Sequence, residues 1–243
     1  MRLAKLAEQT KEYEDLLQYT REFIKLSNYT LSKEELNLFQ TAYKVASSNL
    51  RAEVRTLCLI EQNVEYLDKQ ERIDAILQFK EQIKAELTEL CHEIIGLVDT
   101  KFSNTNEIEA KITFLKIQAD YYRYLIESDP SEQNKQDFTE KALAAYLEAE
   151  KLAKKLAIIH PLRLGLILNL AVFYYENNLE PLKAIMLLKS TLNEALTQLS
   201  AINSKDYAET STLLQLIRDN ITLWTDIKDD NNENEEDKPN GDK

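Results

Sequence analysis

Residues 32–57 read SKEELNLFQTAYKVASSNLRAEVRTL, and their pattern decides the fold. Ser32 and Glu35 make the pattern Ser-x-x-Glu, whose hydroxyl and carboxylate each satisfy a free N–H at a helix start. From Leu36 onward, Phe39, Tyr43, Ala46, Leu50, Val54 and Leu57 recur every three or four positions, the spacing of one helix face. The pattern predicts a long helix over about 32–66. Towards the N-terminus, Leu3, Leu6 and Ala7 form one stripe, and Leu16, Leu17, Phe23, Ile24 and Leu26 form a second. Towards the C-terminus, Ile73, Ile76, Leu77, Ile83, Leu87, Leu90, Ile94 and Leu97 predict a helix over about 68–100.

The same spacing continues. A helix over about 106–127 ends at Asp129, Pro130 and Ser131, which are turn formers. The next helix reaches about 156 and stops before His160-Pro161, because the residue before a proline avoids the helical region. Three further helices are expected near 162–176, 181–199 and 204–224, with Pro181 suited to a first turn. The expected fold is all-α: an antiparallel array of about nine helices, the longest roughly 50 Å at ~1.5 Å per residue. No 34-residue period recurs, so repeats do not support a tetratricopeptide solenoid, although Ala142, Ala145, Tyr146 and Ala149 look locally like one of its helices.

Composition agrees. The chain has 243 residues with 3 Gly and 4 Pro, too few to supply the turns of most sheet folds. With glycine only at 96, 165 and 241, no Gly-rich phosphate loop can be written. The net charge is −12, which argues against binding nucleic acid or an anionic membrane surface. Cys58 and Cys91 are not a disulfide framework, and no apolar run is long enough to span ~30 Å of bilayer, so a cytoplasmic protein without membrane insertion is expected. Beyond Trp224 the composition turns acidic and polar. The expected division is a helical domain over 1–226 and a disordered acidic tail over 227–243.

Few residues suggest chemistry. Glu89 and His92 form a single Glu-x-x-His, where a di-iron bundle needs two such pairs and two more glutamates. No nucleophile motif is present, and an enzyme, a metal or a cofactor is not expected. Lys44 and Arg51 are seven residues apart, about 700° of helical turn, and so point the same way. Two cations at that spacing also suit an ordinary solvated face. Arg123 and Tyr124 lie in Asp120-Tyr121-Tyr122-Arg123-Tyr124, where guanidinium and phenol together can grip a phosphate. The same arginine could equally pack between helices, paired to Asp120 or Glu127. Asn169 sits in an apolar run from Leu164 to Tyr175, and Asn220 sits within Leu216 to Trp224. Each carboxamide suits either an inter-helix bond or an extended peptide backbone, and the pattern leaves both open.

Several segments resemble the 14-3-3 family, in its order and spacing. They include Lys5-Leu6-Ala7-Glu8-Gln9, Ala42-Tyr43-Lys44, Ile60-Glu61-Gln62, Asp120-Tyr121-Tyr122-Arg123-Tyr124-Leu125, His160-Pro161-Leu162-Arg163-Leu164-Gly165-Leu166, Val172-Phe173-Tyr174-Tyr175-Glu176 and Arg218-Asp219-Asn220-Ile221-Thr222-Leu223-Trp224-Thr225. They cover residues 3 to about 226. The resemblance implies the family's fold with a concave groove, and a non-enzymatic adaptor that binds phosphoserine or phosphothreonine motifs of client proteins in signalling. A rival reading is a phosphate-independent helical scaffold that binds client helices.

Residue by residue, the resemblance implies that Lys44, Arg51, Arg123 and Tyr124 hold the phosphate. Asn169 and Asn220 would clamp the peptide backbone. Leu168, Val172, Leu216 and Leu223 would form the apolar wall, with Lys116, Glu176 and Trp224 also lining the groove. Asp120 and Glu127 would hold the arginines in place. The implied homodimer interface has Leu6 and Leu16 on one side and Phe79 and Ile83 on the other. The chain departs from the family there: Glu12 would face Glu86, and Asp15 would face Gln82. Leu50 stands in place of an arginine beside Arg51, and Glu53 in place of a serine tied to dimer control. A dimer with a weakened interface is expected.

Overall fold

The computed structural model describes residues 1–62, 70–102, 105–128, 131–177, 179–199 and 206–236. The described residues form nine α-helices and no strand: α1 (Arg2–Thr10), α2 (Tyr13–Leu26), α3 (Lys33–Gln62), α4 (Gln70–Leu97), α5 (Ile108–Ser128), α6 (Glu132–Ala153), α7 (Pro161–Glu176), α8 (Pro181–Gln198) and α9 (Tyr207–Glu236). One π-helical turn, Val98–Phe102, continues α4. The chain is all-α, as its periodicity predicts. The expected ends of α3 and α4, at 66 and 68, lie outside the described residues.

The helices cluster into two compact units. The first comprises Met1–Asn106 and Ile117–Ala144, and the second comprises Glu107–Lys116 and Ala145–Lys243.

In the first unit the turns are set by residues with left-handed backbone. Lys11, at φ 62°, closes α1, and the backbone N–H groups that follow return to Ala7 and Glu8. Asn28 and Tyr29, at φ 51° and 61°, turn the chain after α2. Tyr29 N–H donates to the Ile24 carbonyl at 3.1 Å, and its ring packs edge-on against Phe102 at 6.4 Å. The Ser32–Glu35 box then starts α3: Ser32 N–H donates to Glu35 Oε2 at 2.9 Å, and Glu35 N–H donates to Ser32 Oγ at 3.3 Å. The Ser32 N–H, together with the Ser32 hydroxyl 2.8 Å from the same Oε2, holds the Glu35 carboxyl below the usual range. Of the stripes read from the sequence, Ala46, Leu50, Val54 and Leu57 are only half-buried and Leu77 is exposed, while Leu36, Phe39, Tyr43, Leu87, Leu90 and Ile94 form the core. Each such side chain contributes ~1.5–3 kcal/mol through burial. At the edge of this core Tyr43 O–H donates to Glu93 Oε1 at 2.7 Å, and Arg21 Nε donates to the same oxygen at 2.8 Å.

In the second unit α7 is apolar nearly all round because it is covered by α8 and α9. Leu164, Leu166, Leu170, Ala171 and Phe173 are all buried. Its start is punctuated as Pro161 suggests: His160 Nδ1 accepts the Leu162 N–H at 3.2 Å, and Pro161 fills the first helical turn. Thr210 Oγ1, on α9, donates to the Ile159 carbonyl at 3.1 Å and ties α9 to that turn.

The backbone of α9 runs to Glu236, which corrects the expectation that helix ends near 224. Once a helix is nucleated, each further residue adds a backbone hydrogen bond without paying for a new nucleus, so composition alone places its end poorly. Residues 237–243, the rest of the expected tail, lie outside the described residues.

Candidate functional site

Helices α3 and α5 build a charged cluster within the first unit. Lys44 and Arg51 lie on α3; Arg123, Tyr124 and Glu127 lie on α5. Arg51 donates from Nε to Glu127 Oε2 at 2.8 Å and from Nη2 to Oε1 at 2.7 Å, a two-bond fork. Arg123 Nη1 reaches the same Oε1 at 3.4 Å. Tyr124 lies under both guanidiniums, with its ring centre 4.1 Å from Arg51 Cζ and 4.9 Å from Arg123 Cζ. The Arg51 and Arg123 side chains are 14% and 9% exposed, against 38% for Glu127. Two cations are thus desolvated and locked by one carboxylate that keeps some contact with water. Lys44 is exposed and carries no ion pair among the described residues.

The phenol is matched to this setting. Burial pushes the Tyr124 hydroxyl up to about 12, and the negative charge of Asp120 adds to the effect while the two arginines oppose it. At neutral pH it is therefore an O–H donor. Tyr121 packs edge-on against Tyr124 at 5.2 Å, and its hydroxyl lies 3.4 Å from Ser47 Oγ. Burial pushes the Cys91 thiol up, so it behaves as an apolar core group and not as a nucleophile.

The second unit holds the other candidates. Leu168, Asn169, Val172 and Glu176 lie on α7, and Leu216, Asn220, Leu223 and Trp224 lie on α9, which packs against α7. Asn169 and Val172 are half-buried, Leu168 is buried, and Glu176 is exposed. Leu216 and Leu223 are exposed apolar side chains. Asn220 Nδ2 donates to the Leu216 carbonyl one turn back at 2.8 Å, which leaves its second N–H and its carbonyl oxygen outside that bond. Trp224 is buried, stacked on Tyr175 with centroids 4.2 Å apart and planes 7° apart, so its indole supports the α7–α9 contact. Lys116 is half-buried on α5.

The interface candidates separate by burial. Leu6 and Phe79 are 56% and 48% exposed and can meet a partner. Leu16 and Ile83 are 0% and 5% exposed in the single chain. This corrects their assignment as interface residues, because side chains filling the unit's own core have no surface to offer. Glu12, Asp15, Gln82 and Glu86 are all exposed. Glu12 also stands at the N-cap of α2, where its charge suits the helix dipole.

The sequence pairs Glu127 with Arg123 by its four-residue spacing. The structure gives its closer bonds to Arg51, 76 positions away. Among the described residues, no group of His, Cys, Asp or Glu is arranged to hold a metal ion, and no helix is long and apolar enough to cross a membrane.

The described residues thus define a helical protein that carries a cluster of two guanidiniums and a phenol organised by one carboxylate. A family model described as 14-3-3 protein matches residues 3–225. The chain is 38% identical over 231 residues to 14-3-3 protein 2 of Entamoeba histolytica, covering 94% of this chain and 96% of that protein. It is 37% identical to 14-3-3-like protein B of Hordeum vulgare, over 98% of this chain and 92% of the relative. It is 38% identical to 14-3-3 protein beta/alpha of Homo sapiens, over 91% and 89%. The chain belongs to the 14-3-3 family, whose general role is that of a phosphoserine- and phosphothreonine-binding adaptor.

Proposed function

We propose that this chain is a non-enzymatic adaptor that captures Ser/Thr-phosphorylated segments of client proteins in signalling, with Arg51, Arg123, Tyr124 and Lys44 receiving the phosphate. The observation that carries this reading is the meeting of Arg51, Arg123 and Tyr124 around Glu127 in a protein of net charge −12. A phosphate group brings about −1.5 to −2 charge and three acceptor oxygens. Two guanidiniums, an ammonium and a phenol O–H supply donors for all three.

The second unit supports the rest of the reading. Within that unit Asn169 and Asn220 offer carboxamides to a peptide main chain, and Leu168, Val172, Leu216 and Leu223 offer apolar surface to peptide side chains. Lys116 and Glu176 complete the lining, with Trp224 behind it. The mechanism is occupancy: the bound segment is masked or held in one conformation, and a homodimer would join two segments. The site calls for no cofactor, and the chain works in the cytoplasm. Calorimetry with one peptide in phosphorylated and unphosphorylated forms tests this. Tight binding of the phosphorylated form alone is expected; equal binding of the two would favour a phosphate-independent helical scaffold.

A further inference from the structure

Resting on the reading of the second unit as a peptide cradle, we infer that the first two turns of α8 form a further docking step for the client's own chain. It takes one bulky apolar side chain from the stretch that continues past the segment held by α7 and α9. Helix α8 turns Ala184, Ile185, Leu188 and Thr191 inward. The outer stripe begins with Leu182 and Met186, 58% and 70% exposed, and goes on with Lys189 and Asn193, which are polar. With Leu179, exposed just before the helix, apolar groups are gathered at the end of α8 that follows on α7. Glu176, the last of the candidate lining on α7, stands only three residues before Leu179. Glu180, Pro181, Leu182, Lys183, Met186 and Leu187 line an open depression of about 740 Å³ there. A contiguous exposed apolar patch marks an interaction site, and the flexible thioether of Met186 suits side chains of varied shape.

The polar groups of the depression serve the protein itself. Lys183 Nζ pairs with Glu180 Oε1 at 2.9 Å and lies 4.4 Å from the centre of the Tyr174 ring. The Leu179 and Glu180 N–H groups both donate to the Tyr174 carbonyl, at 3.1 and 3.4 Å. The patch is therefore braced on α7, and the surface it leaves for a partner is apolar. Its size selects the occupant. A few side chains fall far short of the ~1,200–2,000 Å² that a stable interface between free proteins buries. A chain already held by α7 and α9 is tethered, and meets the patch at an effective concentration of about millimolar, where one apolar contact suffices. Reach agrees. From Asn169 to Glu176 helix α7 rises ~10 Å, which an extended peptide covers in about three residues. The docking side chain is thus expected about four to eight residues from the one held at Asn169.

The test uses a phosphoserine peptide with long polar flanks, through which a single leucine is moved one position at a time on both sides. Affinities are measured by fluorescence anisotropy for the full chain and for the double variant Leu182→Ser with Met186→Ser, which removes apolar surface without changing charge. Leucine within one window of positions is expected to raise affinity about five- to tenfold. The double variant should lose that gain and bind the all-polar phosphopeptide as the wild type does, which also shows that it is folded.

No gain at any position, a gain that the double variant keeps, or a double variant that weakens every peptide alike overturns the inference while the phosphate reading stands. So does a double variant whose only change is a smaller assembly in sedimentation, because the patch would then serve a second copy of the chain. A wild-type chain that binds the all-polar peptide equally well without its phosphate overturns both.

Discussion

Replacing Arg51 by alanine removes the best-connected cation of the cluster. Its guanidinium makes two hydrogen bonds to Glu127 and stacks on Tyr124 at 4.1 Å. If it donates one charge-assisted bond to a phosphate, its loss costs ~1.5–3 kcal/mol, which is about 10- to 150-fold in affinity. A second effect acts in the same direction. Without Arg51 the Glu127 carboxylate keeps only the longer 3.4 Å contact to Arg123, and its charge then opposes an incoming phosphate. The expected loss is therefore near the upper end, about 100-fold.

The effect on folding is far smaller. Glu127 is 38% exposed, so the pair is screened by water and contributes at most ~1 kcal/mol. That corresponds to a fall in Tm of about 2–4 °C for a chain of this size. Fluorescence anisotropy with a phosphoserine peptide, run beside thermal melting by circular dichroism, separates the two. Arg51→Ala with Glu127→Ala should recover part of the affinity lost by Arg51→Ala alone. Wild-type affinity in Arg51→Ala would refute the assignment of this arginine. A melting temperature lowered by tens of degrees would show that the loss comes from the fold.

Alkaline pH should destabilise the chain through its buried phenols. Tyr43, Tyr121 and Tyr124 all have hydroxyls raised above the ordinary 10.0 chiefly by burial, Tyr124 to about 12. The unfolded chain therefore releases these protons first, so stability is full below about pH 10 and falls as pH rises towards 12 and beyond. Denaturant melts at stepped pH check this, and stability constant to pH 12 would contradict it. A chain truncated after Ile227 should lose helical signal from the end of α9, yet bind phosphopeptide as well or better; weaker binding would place residues 228–243 in the site. The homodimer should show monomer at low micromolar concentration in sedimentation experiments, because Glu12 would face Glu86 and Asp15 would face Gln82. Glu12→Arg should tighten it, less a few tenths of a kcal/mol for putting a cation at the start of α2. A dimer that persists at nanomolar concentration, or one loosened by this change, would refute the interface.

Local chemistry was legible from residues close together in the chain. The Ser32–Glu35 box, Pro161 and Pro181 at helix starts, and the stripe from Leu36 through Tyr43 act over one or two turns, and each is found where the pattern places it. The family was legible because its motifs are contiguous words spread over most of the chain. What the pattern could not decide are the outcomes of packing between distant segments. Leu6 and Leu16 look alike in sequence, yet one is exposed and the other enclosed, because burial depends on which neighbours cover a side chain. Nothing in the sequence pairs Trp224 with Tyr175, whose ring is stacked on it 4.2 Å away. The end of α9 escapes composition because helix growth depends on the turn already formed. Glu127 is the clearest case. Its spacing points to Arg123, one turn away on the same helix, whereas its shortest bonds go to an arginine on α3. Only the packing of α3 against α5 decides that this carboxylate fills the fork of Arg51.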